Sequence, residues 1–120
     1  MHLTKLTPMI QVENVSATVE YYVNTIGFSI VNHLTDWSWA LLKLDEIELM
    51  FTPPNPHMSF EKTLFTGSFY FNCTNVNGWW DRLQHCEIVY PIENFKYGMR
   101  EFAVRDCNGF VLQFGEELQL

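Results

Sequence analysis

The feature that most constrains this chain is an internal repeat. Asn14-Val15 opens one helical pattern and Asn75-Val76 opens another; Ile47-Glu48-Leu49 and Leu112-Gln113-Phe114 then close matching series of strands. The two offsets are both roughly 60–65 residues, long enough for one supersecondary unit per repeat. Each half reads as strand, helix and three strands, so the expected fold class is α+β, with two βαβββ modules forming a curved mixed sheet around a cleft. The repeat halves fall at about 1–60 and 65–120 of a single domain.

In the first half, Thr7 to Val12 alternates as a strand. Asn14-Val15-Ser16 opens the helix, with Ser16 as the expected N-cap. Val15, Val19, Tyr22 and Ile26 form its buried stripe, and Gly27 stops it. Strands are predicted over Phe28–His33, Trp37–Leu44 and Ile47–Thr52, with Asp45-Glu46 as the last turn. Pro53-Pro54-Asn55-Pro56 then begins a connection running to about residue 66 and containing His57. In the second half, strands are predicted over Gly67–Thr74 and Glu87–Tyr90, the latter closed by Pro91. Between them the helix runs through Trp79, Trp80, Leu83 and His85. Neighbouring helical positions point about 100° apart, so one of the two Trp is expected against the sheet and the other at an interface.

Met99–Arg105 and Phe110–Gly115 form the clearest hairpin. Phe102 and Val104 alternate with Glu101, Ala103 and Arg105, which gives one apolar face. Asp106-Cys107-Asn108-Gly109 supplies the turn, with Asn108 and Gly109 suited to positive φ. Phe110, Leu112 and Phe114 share a face on the returning strand, and Gln113 points the other way. Arg100 and Arg105 are expected to form exposed pairs with Glu101 and Asp106, of small energetic weight.

Composition narrows the function. Seven Lys and Arg stand against fourteen Asp and Glu, a net charge of −7, which argues against nucleic acid as a partner. No run approaches the ~20 apolar residues of a membrane span. Met1 to Lys5 is not followed by an apolar run, so no leader is expected. Cys73, Cys86 and Cys107 are odd in number and lack metal-type spacing, which fits a reduced cytoplasmic chain.

The helix Glu20-Tyr21-Tyr22-Val23-Asn24-Thr25-Ile26-Gly27-Phe28 and the hairpin Gly98 to Phe114 resemble the vicinal oxygen chelate superfamily. This group contains glyoxalases, extradiol dioxygenases and bleomycin resistance proteins. The likeness spans nearly the whole chain, with Cys107 where the family hairpin carries Pro. Thr7-Pro8-Met9-Ile10, Tyr97-Gly98-Met99-Arg100-Glu101-Phe102 and Gly115-Glu116-Glu117 are most similar to the bleomycin resistance proteins. The resemblance implies a homodimer, with the first strand exchanged between chains at Pro8. It also implies four cleft-facing positions that hold a divalent metal in the enzymes, which fall here on Thr7, Glu48, Ser68 and Gln113. Only Glu48 is a strong ligand, so no catalytic metal and no cofactor are expected.

The resemblance instead implies ligand binding without chemistry, of the kind that confers antibiotic resistance. Glu48 is the expected counter-charge. Tyr97 matches a ligand-stacking Trp of the bleomycin resistance proteins, and Trp37 lies in a region that also approaches ligand there. Asn32 stands where an aromatic partner is usual. Thr7, Ser68 and Gln113 complete the expected lining. The expected partner is a planar or cationic small molecule, together with a second copy of the chain. The alternative is a metal-dependent enzyme of glyoxalase or dioxygenase type, which needs a metal at shifted positions such as Glu48 and His33. None of the four His has a partner at ligand spacing, and no Cys shows the neighbours of a nucleophile.

Overall fold

In the computed structural model, residues 1–55, 61–62, 65 and 67–119 are described. Pro56 and His57, which the sequence assigns to the connection, lie outside the described residues. The chain divides into two units, residues 1–63 and 64–120.

The first unit contains β1 (Met9–Gln11), α1 (Val15–Tyr21), β2 (Ser29–His33), β3 (Ala40–Leu44) and β4 (Ile47–Thr52). Its sheet has the order β1-β4-β3-β2, with β1 parallel to β4 and the other pairs antiparallel. The predicted stripe of Val15, Val19, Tyr22 and Ile26 is buried, as are Leu42, Leu49 and Phe51 of the sheet, and Tyr22 meets Phe51 at 5.0 Å. Asn14, not Ser16, caps α1: its Oδ1 accepts from Ala17 N at 2.9 Å, and Ser16 Oγ only donates to that same oxygen at 3.0 Å. After Tyr21 the helix widens to π-type turns over Tyr22–Ile26 and stops at Gly27, whose φ of 110° suits a residue without Cβ. Asp45 makes the predicted turn at φ 52°.

β1 and β3 start later than the sequence suggests. β1 begins at Met9, so Thr7 precedes it. β3 begins at Ala40, because Leu34 to Trp37 fold into a turn: Trp37 N donates to Leu34 O at 2.9 Å and Trp37 has φ 60°.

The second unit repeats the plan with β5 (Ser68–Asn72), α2 (Val76–Leu83), β6 (Glu87–Asn94), β7 (Met99–Arg105) and β8 (Val111–Glu117), in the order β5-β8-β7-β6. β6 runs through Pro91 instead of ending there. It is an edge strand with register shifts on both sides of Tyr90, and an edge tolerates a residue that cannot donate to the ladder. Phe102, Val104, Leu112 and Phe114 form the apolar face under α2. Both Trp of α2 pack there, not one alone: Trp79 stacks on Phe114 at 5.1 Å and Trp80 meets Phe102 edge-on at 5.3 Å, and both are half-buried. Glu116 of β8 reaches the start of α2, where its carboxylate accepts from Asn75 N at 3.2 Å and Val76 N at 3.0 Å. That places negative charge at the positive end of the helix dipole.

In the β7–β8 turn, Asp106 is buried and its Oδ1 accepts from Asn108 N and Phe110 N, both at 2.8 Å. Only Gly109 of the turn takes positive φ. Glu101 is not half of an exposed pair. Arg100 donates to Asn77 and Asn94, Arg105 donates to Gly109 O, and Glu101 is 2% exposed.

Candidate functional site

The second sheet has one face under α2 and one facing away from it. Strand register assembles the second face: Tyr70 lies beside Gln113, Gln113 beside Ala103, Ala103 beside Tyr90, and Gly115 beside Glu101. Alternation along β7 and β8 therefore puts Glu101 and Gln113 on the same side, away from Phe102 and Phe114.

Glu101 is the centre of this face. Its Oε1 accepts from the hydroxyls of Tyr90, at 3.0 Å, and Tyr97; its Oε2 accepts from the hydroxyl of Tyr70. No ion pair to Glu101 occurs among the described residues. Three phenols thus hold a buried carboxylate that no cation among the described residues neutralises. The network extends outward: Gln113 Nε2 donates to the Tyr90 hydroxyl at 2.9 Å, and Ser68 Oγ donates to Gln113 Oε1 at 2.5 Å.

Two sequence details make the network fit. Gly115 lies beneath Tyr70, and a Cβ there would stand 2.0 Å from the Tyr70 hydroxyl oxygen. Tyr97 sits in the β6–β7 turn, where Gly98 N donates to Phe95 O at 3.1 Å and Gly98 takes φ 89°. Tyr97 is 64% exposed and its ring stacks on Phe95 at 5.4 Å and 10°. It therefore spans from solvent to the buried carboxylate.

The same contacts set the phenol acidities. The hydrogen bond to Glu101 is the main reason the Tyr97 phenol is pushed up to about 12; burial is the main reason Tyr70 and Tyr90 are raised. A group whose pKa is raised on folding stabilises the fold below its unfolded pKa and loses that contribution as pH rises through the folded value. For Tyr97 the window runs from 10.0 to about 12. Spectrophotometric alkaline titration should therefore show the phenolates of Tyr70, Tyr90 and Tyr97 appearing late, with stability falling across the Tyr97 window.

Of the residues expected from sequence, Ser68, Gln113 and Tyr97 come together in this network. The others belong to the first unit. Glu48 Oε1 accepts from Lys5 Nζ at 2.7 Å, and this hydrogen bond holds the Glu48 carboxyl below its usual range. Trp37 is half-buried and stacks on His33 at 4.0 Å and 6°. Asn32 is exposed, and its Oδ1 accepts from His33 N. Thr7 is half-buried ahead of β1. Sequence reasoning missed Glu101, Tyr70 and Tyr90. The available signal was parity with Gln113, together with a glycine inside β8.

The four positions that family likeness links to a metal offer one carboxylate, one amide and two hydroxyls. The carboxylate is bonded to an ammonium, and Ser68 is bonded to Gln113. Transition metals are held by imidazole, thiolate or carboxylate groups, so this donor set does not fit one. Among the described residues, no three His, Cys, Asp or Glu side chains gather as a metal set.

Repeated βαβββ modules, each with a parallel outer pair and an antiparallel remainder, define the vicinal oxygen chelate fold. The chain belongs to the Glyoxalase/Bleomycin resistance protein/Dioxygenase superfamily, whose model matches residues 2–114. Solved structures agree on the fold. A protein of unknown function from Agrobacterium tumefaciens is 19% identical, with TM-score 0.80, covering 98% of this chain and 97% of that one. TioX from Micromonospora is 16% identical, with TM-score 0.77 and 98% of both chains covered. A lactoylglutathione lyase from Agrobacterium tumefaciens is 15% identical, with TM-score 0.69, covering 94% of this chain and 92% of that one. No curated protein sequence matches this chain. No helix among the described residues is long and apolar enough to cross a membrane.

Proposed function

We propose that this protein binds a planar, cationic small molecule and holds it unchanged, as a sequestering protein of the bleomycin-resistance type. The observation that carries the reading is Glu101: a carboxylate 2% exposed and held by neutral phenols, beneath an aromatic side chain that is 64% exposed. An anion without a counter-cation among the described residues favours a positive ligand, and the Tyr97–Phe95 stack offers a flat surface for ring stacking and cation–π contact. Gln113 and Ser68 add neutral hydrogen-bonding groups beside it. Trp37 stacked on His33 is a second aromatic surface, in the first unit. The donor set argues against the metal-dependent alternative.

Titration with bleomycin, followed by tryptophan fluorescence and calorimetry, tests the reading. Saturable binding by metal-stripped protein is the expected result, with affinity lost by at least about tenfold in Glu101→Gln, the equivalent of one charge-assisted contact. Absence of binding by bleomycin and by other planar cations would overturn it. So would one divalent ion retained by each chain through purification.

A further inference from the structure

We infer that the Tyr97 hydroxyl occupies the place of the ligand's own cationic N–H donor, so that binding proceeds by exchange at Glu101 Oε1. This inference rests on the reading of the chain as a binder of planar cations, and it narrows the ligand to a flat ring bearing an ammonium or amidinium with at least one N–H.

The three phenols are not equivalent. Tyr70 lies within β5, passes over Gly115 and meets Oε2, so its path is confined by the strand beside it. Tyr90 lies within β6, pairs with Ala103, and also receives a hydrogen bond from Gln113. Tyr97 belongs to no strand. It sits on a turn whose backbone is held by Gly98 N to Phe95 O and Phe95 N to Met99 O, while its side chain remains largely in solvent. Rotating Tyr97 away leaves the turn's hydrogen bonds intact and uncovers Oε1. Tyr90 and Tyr70 then still hold the carboxylate in place.

The exchange is chemically matched. A phenol O–H leaves and an N⁺–H takes over, so the carboxylate keeps its number of donors and gains an opposite charge. Both bonds have a charged acceptor; the incoming donor adds the attraction between opposite charges, which supplies the gain. The ligand's ring takes up a stack on Phe95 or on the displaced Tyr97 ring. A quaternary ammonium or a donor-free cation has no such replacement to offer. It would have to leave Oε1 short of a donor or remain outside on the aromatic surface.

The test uses naphthylmethylammonium and its N,N,N-trimethyl counterpart, titrated calorimetrically into the whole protein. The primary ammonium is expected to bind at least about tenfold more tightly than the trimethyl form, a difference of one charged hydrogen bond. Tyr97→Phe keeps the ring and removes the competing hydroxyl, so it should tighten the primary ammonium by about tenfold and leave the trimethyl form unchanged. Glu101→Gln should abolish the preference. Equal binding of the two ammonium ions by wild-type protein would overturn the exchange, even if the planar-cation reading stands because bleomycin binds; that comparison needs no variant to fold. Weaker binding of the primary ammonium by Tyr97→Phe would overturn it as well. If neither ammonium nor bleomycin binds, this inference and the functional reading fall together.

Discussion

Glu101→Ala should lower the unfolding free energy by about 3–4 kcal/mol, the range for breaking a buried hydrogen-bonded network and leaving a void. The side chain is 2% exposed and accepts three phenolic hydrogen bonds, so its removal strands the hydroxyl of every donor around it. Glu101→Gln keeps the volume and one acceptor oxygen, and the phenols can rotate to accept from the new amide. It should cost less, about 1–2 kcal/mol. Urea unfolding measures both. Alkaline titration separates the network from general loosening. Because the bond to Glu101 is the leading cause at Tyr97, that phenol should fall from about 12 toward 10.0 in either variant. Tyr70 and Tyr90, raised chiefly by burial, should move less in Glu101→Gln. A Glu101→Gln protein as stable as wild type, with its tyrosine titration unmoved, would show that the carboxylate does not organise this face.

The fold was legible wherever a short stretch of chain decides its own structure. Gly27 ends the first helix, Asn75 begins the second, Asp45 turns β3 into β4, and Met99–Arg105 alternates as a strand; each follows from dihedral preference or local periodicity. The helix stripe Val15, Val19, Tyr22 and Ile26 was equally plain. Errors arose where distant residues decide. Pro91 looks like a terminator until β6 is known to be an edge. Trp37 is the exception: it looks like the start of a strand, but a local turn from Leu34 gives it positive φ. Glu101 follows an arginine and reads as one half of an exposed pair. Its burial is caused by Tyr70, 31 positions away, and by Tyr90, 11 positions away. Parity could have placed Glu101 on the face of Gln113. It could not have revealed that three phenols converge there, because that depends on the order β5-β8-β7-β6.

Gly115→Ala should destabilise the protein by about 2 kcal/mol, and the same substitution in a Tyr70→Ala background should be neutral or stabilising. The expectation turns on which property of glycine is used. Gly115 is not among the residues with positive φ, so its backbone accepts alanine without strain, and a strand residue normally gains by the change. The obstacle is space. A Cβ at this position would lie 2.0 Å from the Tyr70 hydroxyl oxygen, 2.7 Å from Cζ and 3.1 Å from Cε1. The hydroxyl oxygen and two ring atoms cannot be accommodated by a small adjustment, so Tyr70 must swing out and abandon Glu101 Oε2. The lost bond is one to a charged acceptor, worth about 1.5–3 kcal/mol, and it outweighs the backbone gain. With Tyr70 already truncated there is nothing to displace, and only the backbone gain remains. A double-mutant cycle by urea unfolding reads the coupling directly. The tyrosine titration supplies an independent check, because a Tyr70 ring expelled into solvent loses the burial that raised its phenol and should ionise at lower pH. Additive effects of the two substitutions would show that Tyr70 reaches Glu101 by another path, and that the glycine in β8 does not make room for it.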